Sequence, residues 1–232
     1  MESQRRLHHI YPDNAWLFPT WQLHGSLPSS HFAPGRKVSG GEAFAWVDRY
    51  LDGAQTGPMH MRSDAIATLV IESLFRGDKL GQYRLGPFVI MANHVHLLLL
   101  PSISPSLLLK SLKGVTAREA NRLLNRTGEQ FWQRESYDHW VRNETEWCRI
   151  ANYIERNPVK AGLVESPENY PWSSANPRWR PSVHTSVNAA RTSARATATE
   201  KITGTEKMAG TETVTAIEKI TATDLAGART LA

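Results

Sequence analysis

Two histidines one residue apart open an apolar run, Asn93-His94-Val95-His96-Leu97-Leu98-Leu99-Leu100. On a β-strand alternate side chains share a face, so His94 and His96 point one way and Val95 and Leu97 the other. Two imidazoles at this spacing can chelate a divalent cation, and the leucines behind them would anchor the strand in a sheet. Leu98 stands where a histidine-triad phosphohydrolase would place a third imidazole, which argues against that chemistry. Further along, Phe131-Trp132-Gln133-Arg134-Glu135-Ser136-Tyr137-Asp138-His139-Trp140-Val141-Arg142 sets one tyrosine, Tyr137, among Arg134, His139 and Arg142. A phenol is almost wholly protonated at neutral pH and is a weak nucleophile. Attack on phosphate needs a metal to polarise the phosphoryl group and cations to balance the pentacoordinate charge. A tyrosine that attacks DNA phosphate conserves the bond as a phosphotyrosine link, so the strand can be rejoined. Taken singly, Tyr137 also reads as a packed aromatic, and the histidines as rings bonded to nearby carbonyls.

Arg118, Arg122 and Arg126 fall four apart, which on a helix lines three guanidinium groups along one stripe, with Lys110 and Lys113 preceding them. Between 110 and 142 there are seven basic and four acidic residues, so this stretch holds +3 of the chain's +5. Guanidinium binds phosphate bidentately, and phosphate contacts dominate nucleic-acid affinity. Phe131, Trp132 and Trp140 interleave, and aromatic faces stack unpaired bases. A solvated helix face over core aromatics gives the same pattern.

The elements that must position these groups follow from periodicity. Residues 15–24 read as a strand, 42–52 as a short helix, and Ser63 caps a helix with Ile66, Leu69, Val70 and Leu74 on one face, ending at Gly77. Strands at 83–91 and 94–100 form a hairpin across Ala92-Asn93. Residues 105–113 read as helix up to Gly114, and Thr116 with Glu119 as a capping box for a separate helix to 125. Asn143 with Glu146 resembles another box, before a helix carrying Trp147, Ile150, Ala151 and Ile154 that stops at Asn157-Pro158. This β-α-β-β-α-like order predicts an α+β fold, an antiparallel sheet with helices packed on it.

The chain has 232 residues, a size for one domain. Residues 183–232 differ: Ala and Thr supply 23 of the 50, with no aromatic and no proline, and an acidic residue recurs every six positions from Glu200 to Asp224. Such a stretch can hardly bury enough surface to offset its ordering entropy, which predicts a folded domain over 1–182 and a disordered, repetitive tail. No apolar run approaches a membrane span, and no secretory leader is expected behind Arg5 and Arg6. With Cys148 the sole cysteine, a metal here must rest on histidine and oxygen ligands, which suits Mg²⁺ or Mn²⁺ beside a phosphate better than structural zinc.

Five separated segments, VIMANHVHLLLLP, SLKGVTAREANRLL, FWQRESYDHWVR, IANYIERNPVKAGLV and PENYPWSSA, occur in an order and spacing that closely resembles the REP-associated tyrosine transposases, single-tyrosine HUH endonucleases. The resemblance covers roughly 11–176. It implies a ferredoxin-like or RRM-like sheet with helices on one side. It also implies Mg²⁺ or Mn²⁺ held by His94 and His96, and attack by the tyrosine, here Tyr137, on single-stranded DNA beside the palindromic hairpins of bacterial genomes. The products would be a 5′-phosphotyrosine and a free 3′-OH. Lys110, Lys113, Arg118, Arg122 and Arg126, with Arg134 and Arg142, would hold DNA. Asp138, His139 and Gln133 stand as alternatives for a third metal ligand. The protein would act in the cytoplasm, on the nucleoid, as a monomer or homodimer; a domesticated hairpin-binding protein with little or no cleavage is the alternative. Ala92 replaces the proline usual before the histidine motif, and Tyr137 lies one place later than the tyrosine of many relatives.

Overall fold

The computed structural model describes residues 14–27 and 40–179; the predicted tail at 183–232 lies outside them. Strand β1 (Leu17–Gln22) leads to helices α1 (Gly40–Asp52) and α2 (Asp64–Lys79). The hairpin β2 (Tyr83–Ile90) and β3 (His94–Pro101) follows, then α3 (Pro105–Leu123), β4 (Tyr137–Trp140) and α4 (Glu144–Lys160). The four strands form one sheet in the order β2-β3-β1-β4, every pairing antiparallel. This is the split β-α-β arrangement of ferredoxin-like folds, and the α+β class read from the sequence holds.

Helices cover both faces of the sheet. Val95, Leu97 and Leu99 of β3 join Ile66, Val70 and Leu74 of α2 and Leu108, Leu109 and Leu112 of α3 in one core. Leu98 joins Trp16, Phe18, Phe44, Ile150 and Ile154 in a second core on the other face, beneath α1 and α4. The expected single helical layer therefore describes α2 and α3, and α1 with α4 makes a second. The physical reason is the unbroken leucine run of β3, which is apolar in both directions and needs cover on both sides.

Two helix ends differ from the sequence reading. Residues 105–123 form one helix, without a break at Gly114. Thr116 is not a cap: its buried hydroxyl donates to Leu112 O at 2.8 Å and accepts the Trp132 indole hydrogen at 2.9 Å. A threonine can sit inside a helix when its hydroxyl bonds back to the preceding turn. α4 runs through Pro158 to Lys160, because Ala161 N still reaches Asn157 O at 2.9 Å. Asn143 does cap α4, its side chain accepting from Glu146 N at 2.8 Å.

The sheet's edges and close approaches are set by small residues. Gly86 lies where β2 departs from regular pairing between Leu85 and Phe88. A Cβ there would come within 2.9 Å of the Trp16 ring and 3.0 Å of Leu98 O, so only glycine fits without a shift. The Pro171-Trp172-Ser173-Ser174 segment covers the β2 edge: Ile90 N donates to Trp172 O and Ser174 N to Phe88 O, each at 2.9 Å. Covering the edge removes a template for strand pairing with other chains.

Candidate active site

β3 presents His94 and His96 to the α1/α4 side, where both are fully buried. Their orientation is fixed from behind. Asn93 Nδ2 donates to Leu51 O at 3.0 Å, so Asn93 Oδ1 is the atom left to accept from His94 Nδ1 at 2.7 Å. That places the His94 ring hydrogen on Nδ1 and leaves the Nε2 lone pair facing α1. Thr20 Oγ1, from the neighbouring β1, holds His96 Nδ1 at 2.7 Å.

The atom both histidines face belongs to Asp48 of α1. Its Oδ1 lies 3.0 Å from His96 Nε2 and 3.9 Å from His94 Nε2. The 3.0 Å approach is not aligned as a hydrogen bond, and all three atoms are buried without a hydrogen-bond partner. Among the described residues, Asp48, His94 and His96 are a group able to hold a metal, their ligand atoms within 4.8 Å of one another. Two imidazole nitrogens and a carboxylate oxygen suit a divalent first-row cation, and unbonded lone pairs converging in a buried space fit such an ion better than they fit one another.

The other carboxylate oxygen of Asp48 serves α4. Oδ2 accepts from the Tyr153 hydroxyl and from Lys160 Nζ at 3.1 Å. Lys160 also reaches Asp52 Oδ2 at 3.4 Å, and Asp52 Oδ1 lies 3.6 Å from His94 Nε2. The Tyr153 ring stands 5.5 Å from that of His96, and the Lys160 ammonium lies 5.4 Å from the Tyr153 ring centre. Asn157, one turn on, is fully buried.

The protonation states follow from this packing. Burial first, and then the neighbouring His96, push His94 down to about 3 against the pull of Asp48, so it is neutral and able to donate a lone pair at pH 7. Burial alone would raise Asp48; the close His96 nitrogen, His94 and Lys160 outweigh it and hold the carboxyl well below the usual range. Tyr153 is raised well above 10 by burial and then by the Asp48 and Asp52 charges.

Tyr137 occupies a different place. It lies on β4, not at a helix start, and pairs with Thr20, which on its other side pairs with His96. Tyr137 is thus on the histidine face, two strands over, roughly 10 Å at the usual strand spacing. Its ring stacks on Phe44 at 4.2 Å, and Phe44 and Phe18 both meet the His96 ring, at 6.2 Å and 5.9 Å. Burial, then Glu146, push the Tyr137 phenol up to about 12, with Arg142 opposing.

The three alternatives for a third ligand each have another partner. His139 Nε2 meets Glu146 Oε1 at 2.9 Å, Asp138 accepts from Ser136 at 3.1 Å, and Gln133 Oε1 meets His24 at 3.2 Å. None of them belongs to the Asp48 group. Asp48 and Tyr153 were missed in the sequence. The signal for Asp48 was an acid on the apolar face of a short helix, with Phe44 four before and Leu51 three after. For Tyr153 it was a tyrosine four residues before a buried asparagine in a segment read only as a helix stop.

The basic residues divide. Arg118 and Arg122, 72% and 73% exposed, both bracket Glu119, and Arg126 pairs with Glu129. Lys113 Nζ donates to Gln133 O at 2.8 Å and to Arg134 O at 3.1 Å, tying the 133–134 backbone to α3. Lys110, Arg134 and Arg142 are exposed. All of α3 lies across the sheet from the histidines, so Arg118 and Arg122 are on the opposite face from the metal group; the helix ends at Leu123 and not near 125, and Arg126 lies beyond it, after Asn125 at φ 55°.

Residues 70–157, which include β3, α3, β4 and Tyr153, match the family described as "Transposase IS200 like". The match spans 88 of the chain's 232 residues, so the similarity is to that domain over the middle of the chain. A curated relative, "Putative REP-associated tyrosine transposase" of Haemophilus influenzae Rd, is 30% identical to it over 96 residues, 37% of this chain and 54% of the relative. The chain thus matches about half the length of that transposase. Two solved structures are similar: a REP-associated tyrosine transposase bound to a REP hairpin (16% identity, TM-score 0.49, covering 75% of this chain and 82% of that one), and "a putative transposase" from Deinococcus radiodurans R1 (17%, 0.37, 68% and 98%). No helix among the described residues is long and apolar enough to cross a membrane.

Proposed function

We propose that this protein cleaves and rejoins single-stranded DNA beside palindromic hairpins, in a reaction that needs Mg²⁺ or Mn²⁺ and proceeds through a covalent 5′-phosphotyrosine. The observation that carries the reading is the shared carboxylate: Asp48 turns one oxygen to the histidine pair and the other to the Tyr153 hydroxyl. That juxtaposition favours Tyr153 over Tyr137 as the nucleophile, and Asp48 over Asp138, His139 and Gln133 as the third ligand.

In this reading Asp48, His94 and His96 hold the cation, with Mn²⁺ the closer match to two imidazoles. When bound, the cation polarises the scissile phosphate and offsets the carboxylate charge that raises Tyr153. Tyr153, oriented by Asp48 Oδ2, gives up its proton to water as its oxygen attacks phosphorus; the P–O3′ bond breaks, and the 3′ oxygen leaves as a hydroxyl after taking a proton from water. Attack by a 3′-OH on the phosphotyrosine reverses the sequence and frees the phenol. Lys160, beside Asp48 and the Tyr153 ring, balances the charge that gathers on the phosphoryl oxygens. The α3 cations, on the far face, serve flanking DNA and not the scissile phosphate.

The test mixes full-length protein, Mn²⁺ and a hairpin oligonucleotide drawn from repeats near its own gene, and follows the covalent adduct on a denaturing gel. Tyr153→Phe abolishes the adduct and Tyr137→Phe retains it. The reverse result restores Tyr137 as nucleophile. Hairpin binding without adduct in wild type, in either metal, overturns the cleavage reading in favour of a binding protein.

A further inference from the structure

α1 has two working faces. Phe44, Asp48 and Leu51 point inward, toward the second core and the metal group. Two positions round from Asp48, and so on the other side of the helix, Trp46 is 39% exposed. One turn later Tyr50 stacks beside it, ring centres 5.8 Å apart and planes within 19°. Neither residue is a strong helix former, so helix propensity does not account for the pair. Two nearly parallel rings give a flat apolar surface on the scale of a nucleobase. Stacking on such a surface tolerates any base, because every base has a π face. Exposed Arg49 falls between the two rings in sequence and adds a guanidinium suited to a phosphate oxygen. A hydrophobic peptide would have no use for that cation.

We propose that Trp46 and Tyr50, with Arg49, form a stacking platform for an unpaired base of the bound DNA strand, a few nucleotides from the phosphate held at Asp48, His94 and His96. The inference rests on the DNA reading above and adds to it the element that grips the single-stranded flank. The distance is that of one helix, about 10–12 Å across with its side chains. α1 would then couple the two tasks, its inner face serving the metal group and its outer face setting how far the flank extends.

The experiment is a binding titration with full-length protein in EDTA, by fluorescence anisotropy, on a labelled DNA hairpin with a single-stranded flank. A companion set of oligonucleotides replaces each flank base in turn by an abasic site. In wild type one abasic position weakens binding about 10-fold, the usual scale for one stacked base. Trp46→Ala weakens binding to intact DNA by a similar factor, and combining it with that abasic position gives little further loss. Tyr50→Ala shows a smaller loss, and Trp46→Phe stays within about 3-fold of wild type. If Trp46→Ala disturbs α1, seen as a shifted denaturation midpoint, the abasic scan with Trp46→Phe and Tyr50→Ala carries the test. Wild-type affinity for intact DNA in Trp46→Ala and Tyr50→Ala, or losses that add in full to every abasic site, overturns the platform while leaving the DNA reading standing. Absence of hairpin binding by wild type overturns both.

Discussion

The Tyr153 hydroxyl donates to Oδ2 of Asp48, a residue 105 positions earlier in the chain, while Oδ1 of the same carboxylate faces the histidine pair. A helix that precedes the hairpin and a helix that closes the domain therefore meet at one side chain. Asp48 is buried and carries charge into a space that already holds two imidazoles, a second carboxylate and an ammonium. A buried charge is retained where its partners are fixed, and here they are fixed by three elements: α1, β3 and α4.

Asp48→Asn therefore tests the metal group directly. The amide keeps the shape of the side chain and can still accept from Tyr153, but it loses the anionic donor that faces His94 and His96. Mn²⁺ affinity, read by calorimetry, falls by about 100-fold or more, the scale of losing one strong ligand or its orientation. Unchanged affinity would remove Asp48 from the ligand set.

Stability in acid follows from His94. Its folded value of about 3 lies below the ordinary 6.5 because burial disfavours the charged ring. The unfolded chain takes up that proton first, so as pH falls from about 6.5 toward 3 the unfolded state binds more protons and folding weakens. One such group costs roughly 1–2 kcal/mol between pH 7 and pH 5. Urea midpoints of metal-free protein at pH 7, 6 and 5 should decline in step, and a flat series would show that His94 is not held neutral.

Much of this was legible in the sequence because it rests on local pattern. The hairpin, the histidine face and the Asn143 cap each depend on residues within a few positions of one another, where period and turn chemistry speak directly. The site was only half legible. His94 and His96 are neighbours on a strand, but Asp48 and Tyr153 reach them through tertiary packing, and each carries only a faint local signal. Tyr137 drew attention because cations surround it in sequence; in space, Phe44 and Phe18 each touch both its ring and that of His96. The placement of the α3 cations was equally hidden. Arg118 and Arg122 do share a helix face, while Arg126 lies past the helix end at Leu123, and which face of the sheet receives that helix is set by tertiary packing on β3, apolar on both sides.

Thr116 shows how a capping signature can mean something else. Its hydroxyl is fully buried, donating to Leu112 O and accepting from Trp132 Nε1 at 2.9 Å. Thr116→Val keeps the volume but strands the indole hydrogen in an apolar core. The expected loss is about 1–3 kcal/mol, while Thr116→Ser, which keeps both bonds, loses less than about 1.5 kcal/mol. Denaturant midpoints of the two variants decide it. Equal losses would mean that the methyl group and not the hydroxyl matters.

Lys160 gives the last prediction, and it separates charge balance from packing. Its ammonium, 23% exposed, lies 3.1 Å from Asp48 and 3.4 Å from Asp52, so in metal-free protein it offsets two carboxylates that face one another. Lys160→Met keeps most of the aliphatic stem and removes the charge. Metal-free protein should lose roughly 2–3 kcal/mol, below the full cost of breaking a buried pair because Lys160 retains some solvent. A divalent cation at Asp48 supplies positive charge in the same place, and any ligand that binds only the folded state stabilises it by mass action. Saturating Mn²⁺ should therefore raise the melting temperature of Lys160→Met by more than it raises that of wild type. A smaller rise in the variant would mean that Lys160 assists metal binding instead of standing in for it.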